Sequence, residues 1–152
     1  MNDDDLDLRA RVDRRAEFAK GVTARTGINE ALIRELVHAF YDRVRADEMI
    51  GPVFADRIKD WGPHLERMCA FWSSVVLMTG RYHGRPMPAH APLSIAGEHF
   101  DRWLELFADT AQSVCPPAAA ALFIEKANLI AASLEQGIGN ARGLMLLSLI
   151  HI

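Results

Sequence analysis

The stretch NEALIRELVHAFYDRVRA (residues 29–46) decides the fold. Leu32, Ile33, Leu36, Val37, Phe40 and Val44 recur in it at spacings of three and four, which gathers them on one stripe of an α-helix. Asn29 stands just before the stripe and offers its side chain as an N-cap. Tyr41 lies beside Phe40 at the inner edge of the stripe, and a buried phenol needs a hydrogen-bond partner. The same periodicity returns downstream. Residues 61–78 carry Trp61, Leu65, Met68, Phe71/Trp72 and Val75/Val76, with His64 on the same side; Asp60 can cap this helix, and Pro63 is tolerated in its first turn. Residues 95–114 carry Phe100, Trp103, Leu104, Phe107 and Ala111. After the Pro116-Pro117 break come Leu122/Phe123, Ala127, Ile130 and Leu134, stopped by Gly137. No segment alternates with period two. The expectation is an all-α domain of four substantial helices.

Between these helices the chain punctuates itself. A turn over 47–52 ends the first, and Val53-Phe54 is expected to project from the loop that follows. Gly80 is expected to close the second helix. Gly84, Pro86, Pro88 and Pro92 then make a long regular helix unlikely to form, and His90 sits among them in MPAHAPL (residues 87–93). Residues 1–25 are dense in charge and read as a solvated, partly helical extension ahead of a domain over 26–137. Residues 138–152 read as a flexible tail. Its apolar end, 144–152, has no helical patterning, and Ser148-Leu149-Ile150-His151-Ile152 resembles a translated sequencing adapter rather than native chain. The alternative for that end is a short segment packed on the body, and His151 carries no functional weight in either case.

Length and composition bound the function. At 152 residues the chain is one domain able to bury a core and one cofactor. A net charge of −3 without a basic stripe argues against nucleic acid as a partner. No run reaches the roughly 20 apolar residues of a membrane span. Cys69 and Cys115 have no metal-type spacing, and Cys69 reads as a small core residue. The acidic start (Asp3, Asp4, Asp5, Asp7) is the opposite of a secretory n-region. The expectation is a cytoplasmic monomer.

A lone imidazole, His90, in an irregular segment between two amphipathic helices that carry His64 and Trp103, with Tyr41 on a third, is the donor set an iron porphyrin requires. His90 can equally be a loop histidine that caps a helix, Tyr41 a structural tyrosine reaching another helix, and Trp103 a core residue. His99 and His83 compete with His90 less well, reading as helix surface and loop.

The order of several short blocks then makes the chain resemble the group III truncated haemoglobins over about 28–136. The blocks are Ala39-Phe40-Tyr41-Asp42-Arg43-Val44-Arg45-Ala46-Asp47, Gly51-Pro52-Val53-Phe54, Trp61 with His64 and Phe71-Trp72, Gly80-x-Tyr82-x-Gly84-x-Pro86, His90, and Glu98-His99-Phe100-x-Arg102-Trp103-Leu104-x-Leu106-Phe107. Any one block is weak; their order and spacing are specific. The Gly-Gly pairs of the first two groups are missing, as in the third. The resemblance implies a globin-like two-over-two helical sandwich around one haem b (iron protoporphyrin IX), with His90 as the proximal iron ligand. It puts Tyr41, His64 and Trp103 on the distal side and Phe54 against the porphyrin. The cofactor pocket it implies is Phe40, Phe54, His64, Leu65, Met68, Trp72, His90, Phe100 and Trp103. His64 can donate to a ligand, coordinate iron itself, or swing outward as a gate. Arg45, Arg67 and Arg102 read as solvated, with one free to pair with a haem propionate.

The function so implied is reversible binding of O2, and of other diatomic ligands such as CO and NO. Strong retention of O2 makes a poor carrier, so the alternative is a haem oxidoreductase, an NO dioxygenase or one that detoxifies peroxide or reactive nitrogen species. No flavin or nicotinamide fingerprint is present, so such an enzyme needs a separate reductase. A haem-free interaction module on the same scaffold would have to explain why histidine, tyrosine and tryptophan all stand at the expected positions.

Overall fold

A computed structural model describes residues 2–82 and 97–136. His90, His83 and the tail 138–152 lie outside the described residues. Among the described residues there are six helices and no strand: α1 (Asp3–Thr26), α2 (Glu30–Ala46), α3 (Gly51–Arg57), α4 (Trp61–Leu77), α5 (Gly97–Val114) and α6 (Pro117–Gln136). The all-α expectation holds.

Local chemistry explains most boundaries. Asn29 accepts from the Leu32 amide at 2.8 Å and so caps α2, as its position predicts. Gly27 ends α1 in the left-handed region (φ 83°), where its amide closes on the Thr23 carbonyl at 2.8 Å. Two expectations need correction. Phe54 does not project from a loop: Pro52 starts a short helix, and Phe54 on α3 is 5% exposed. Gly80 does not close α4: Met78 takes the left-handed turn itself, at φ 54°. Gly51 permits the tight entry into α3, because a Cβ there would stand 3.0 Å from the Val44 carbonyl oxygen.

Packing follows the stripes. α2 lies on α4 and on α5, α5 lies on α6, and α4 meets α6, so the α2/α4 pair faces the α5/α6 pair. The stripe residues Ile33, Leu36, Val37, Phe40 and Val44 are all buried, as are Met68, Phe71, Trp72 and Val76 from α4. α1 joins the body mainly through its last turns, where Val22 is 2% exposed and α4 and α6 receive it, and the Arg15 guanidinium lies over Gly80. Both cysteines are buried, and burial pushes both thiols up, Cys115 to about 11.

Polar clamps hold the helix ends. Glu30, at the start of α2, accepts from the fully buried Ser73 hydroxyl at 2.6 Å and pairs with Arg81. Since the single Ser73 proton goes to Glu30, Thr79 is the donor in the 2.7 Å Ser73–Thr79 contact. Arg102 is not a free surface arginine: its Nη2 and Nε donate to Asp47 at 2.7 and 2.9 Å, tying α5 to the turn after α2. Asp47 also accepts from the Met49 and Ile50 amides and is 7% exposed.

The Arg102 guanidinium, and then those amides, hold the Asp47 carboxyl below the ordinary carboxylate range. A lowered folded-state pKa gives stability that is complete above the unfolded value of about 3.9 and is lost as pH falls through the lower folded value. Asp47→Asn is expected to be less stable than wild type at pH 7 and to converge with it as the pH falls through the lowered folded-state value. Urea melts of both proteins across pH 2.5–7 check this; a constant difference would remove Asp47 as the titrating group.

Candidate functional site

The centre of the molecule is an aromatic wall with two polar groups set in it. Tyr41, on the fourth turn of α2, is 4% exposed, and His64, near the start of α4, is 0% exposed. Their rings meet edge to face at 5.1 Å. Phe54 of α3 closes on Tyr41 at 5.9 Å, and Phe40 packs its edge against Tyr41 at 5.0 Å. Trp61 touches both members of the pair, His64 at 5.6 Å and Tyr41 at 5.9 Å. The Arg45 guanidinium lies 4.6 Å over the Trp61 ring as a cation–π cover on its outer side. Burial pushes the Tyr41 phenol well up from its usual range, with the Cys69 thiol adding to the effect. Tyr41 therefore keeps its proton at physiological pH and can only act as a neutral O–H donor or acceptor.

Trp103 stands on the other side of Phe40, 5.6 Å from it, and stacks on Phe107 at 5.5 Å with the planes 11° apart. Trp72 stacks on the opposite face of that region, 4.9 Å from Phe107. Met68 is 1% exposed, and Leu65 packs partly buried on the same core. Phe100 is buried in a small separate cluster with Ala131. The sequence-derived set thus divides: Tyr41, His64 and Phe54 come together, Trp103 and Trp72 flank Phe107, and Phe100 sits apart.

Trp61 is the residue whose place the sequence left undervalued, since it reads simply as core. Its signal was its spacing: three positions before His64 on a helix, it shares His64's face. Arg45 gave no comparable signal, because only folding brings the last turn of α2 over the first turn of α4.

The donor set suits a haem site. An apolar aromatic surround holds the flat ring of a porphyrin, and one neutral O–H and one imidazole within it are the polar groups that a distal side requires. Among the described residues no cluster of three or more His, Cys, Asp or Glu could hold a bare metal ion, and no helix is long and apolar enough to cross a membrane.

Comparison with known proteins agrees with this geometry. The family model described as bacterial-like globin matches residues 25–126. The group 3 truncated haemoglobin of Campylobacter jejuni is 30% identical over 113 residues, covering 71% of this chain and 89% of that one. The group 2 truncated haemoglobin YjbI of Bacillus subtilis is 27% identical over 89 residues, covering 57% and 67%. The crystal structure of the group III truncated haemoglobin from Campylobacter jejuni superposes with a TM-score of 0.66 at 29% identity, covering 72% of this chain and 90% of that one. The buried aromatic site, the helix order and these matches converge: the chain belongs to the bacterial-like globin family, as a group III truncated haemoglobin.

Proposed function

We propose that the chain holds one haem b through His90 and binds O2 reversibly at the iron, with Tyr41 and His64 facing the ligand. The observation that carries the reading is the buried Tyr41–His64 pair, two hydrogen-bonding side chains placed edge to face inside an aromatic wall. In an otherwise apolar surround these are the side chains whose polar atoms a small ligand could meet. Globin membership implies the haem, which when bound supplies one open position for a diatomic ligand.

The protein's own residues then have distinct tasks. His90 would hold the iron through one nitrogen of a neutral imidazole, the N–H on its other nitrogen orienting the ring by donating a hydrogen bond. Phe54, Phe40, Leu65, Met68 and Trp72 would exclude water around the cofactor. Tyr41, kept protonated by burial, donates its O–H toward the ligand position. His64 supplies a second polar group beside it. Trp103, which stacks on Phe107, would offer its indole N–H from the far side of Phe40.

Each net hydrogen bond to the ligand is worth about 1 kcal/mol, so Tyr41→Phe is expected to speed O2 dissociation roughly fivefold. Stopped-flow displacement of O2 by CO measures it, and an unchanged rate would remove Tyr41 from ligand contact. Several donors around one ligand favour retention over delivery. That supports chemistry on the bound gas, such as NO dioxygenation with a separate reductase, more than transport.

The deciding experiment is the visible spectrum of haem-supplied protein in its ferric, ferrous and ferrous-CO forms. A Soret band at about one haem per chain that shifts with CO supports the reading. A folded helical protein with no Soret band ends it.

A further inference from the structure

The first four turns of α1 stand largely in solvent: residues 2–9 and 11–18 are all exposed, although the Arg15 guanidinium lies over Gly80, and the family match begins only at residue 25. With about 3.6 residues per turn, positions 3, 4, 7, 11, 14, 15 and 18 share one face of this helix. That face reads Asp3, Asp4, Asp7, then Arg11, Arg14, Arg15, then Phe18. Its charge changes sign once along its length. Acids at an N-terminus suit the helix dipole, but this does not account for the arginines in register behind them. Asp7 and Arg11 pair at 2.7 Å, while Arg14 and Arg15 have no acidic partner among the described residues. With Phe18 (43% exposed) and Met78 (53% exposed), the three arginines line a groove of about 290 Å³ between α1 and the end of α4.

We propose that this face is a self-complementary docking surface whose occupant is α1 of a second copy of the chain, lying antiparallel about a two-fold axis. In the register where position i faces position 18 − i, Asp3 meets Arg15 of the second copy, Asp4 meets its Arg14, and Asp7 meets its Arg11. Symmetry makes each pairing occur twice. The paired stretch is about 18 Å long. Arg9, the position on the axis, falls on the opposite side of the helix and does not obstruct it. Leu8, 60% exposed, flanks the axis and adds apolar contact. The first turn of the second copy enters the groove beside Phe18 and Met78. A parallel pairing would set acid on acid and arginine on arginine, so the pattern selects one orientation. The assembly is a dimer, in place of the monomer expected from the sequence.

Exposed ion pairs are individually weak and screened by salt. The dimer is therefore modest in affinity and salt-sensitive. Sedimentation velocity of the full haem-loaded chain, up to roughly millimolar concentration, is expected to show dimer at low salt and at least about tenfold weaker association at 0.5 M NaCl. Arg14→Glu/Arg15→Glu alone, and Asp3→Arg/Asp4→Arg alone, are each expected to be monomeric with unchanged helix content and haem spectrum. Mixing the two variants restores complementary pairs at both ends of the contact, so a heterodimer should form. A wild type that stays monomeric at low salt overturns the proposal. So does a dimer that both variants retain, or a mixture that remains monomeric. The assembly readout is independent of haem chemistry, so its failure leaves the ligand-binding reading intact.

Discussion

His90→Ala is expected to lose stoichiometric haem while keeping its helices. Iron in a globin site is held by one protein bond, and the aromatic surround contributes packing without coordination. Removing groups that only orient a metal ligand already costs about 10- to 100-fold in affinity, so losing the ligand itself should cost at least that much. The helical frame should survive, because the stripes that build it lie on α2, α4, α5 and α6 rather than in the 87–93 segment. Haem titration of the apo-variant, followed by the Soret band and by far-ultraviolet circular dichroism, separates the two effects. Wild-type haem content and spectrum in the variant would transfer the proximal role to another residue. Restoration of a five-coordinate spectrum by added imidazole would place the lost bond at position 90.

The second large effect is on stability and falls on Phe107. This ring is 1% exposed, stacked against Trp72 at 4.9 Å and Trp103 at 5.5 Å, with Phe40 edge-on at 5.2 Å. It is the point where α2, α4 and α5 share one aromatic cluster. Phe107→Ala is expected to cost about 3–5 kcal/mol, from lost transfer free energy and the cavity left between three large rings. That is a large share of the 5–15 kcal/mol that typically separates folded from unfolded chains. Phe107→Leu keeps most of the volume and should cost less than about 1.5 kcal/mol, so it remains measurable if the alanine variant does not fold. Guanidinium unfolding of both variants gives the values. A loss below about 1 kcal/mol for alanine would mean that Trp72 and Trp103 close over the gap.

The helices were legible because burying one face leaves a periodic trace. The stripe from Ile33 to Val44 predicts α2 almost to the residue, and Asn29 marks its start with a side chain that has no better place to bond. The short helix α3 was not legible. Seven residues are too few to show a period, and the turn signals Gly51 and Pro52 are also the residues that open a helix. The end of α4 misled for a related reason: Gly80 does turn left-handed, at φ 72°, but Met78 already does so two residues earlier and ends the helix, while Ser73, Thr79, Arg81 and Glu30 bond across the turn.

The candidate site divides in the same way. Residue types and order along the chain determined, without any coordinates, that this is an all-α globin with Tyr41 and His64 on inner helix faces, because periodicity alone decides which side of a helix a residue occupies. Distances across helices belong to the tertiary structure. Only packing sets Tyr41 against His64, covers them with Trp61 and Arg45, moves Trp103 beyond Phe40 onto Phe107, and converts Arg102 from a surface charge into the clamp on Asp47. The physical reason is that a helix's own face is local information, carried by spacings of three and four, whereas contact between helices depends on which ridges interlock, and no local pattern records that.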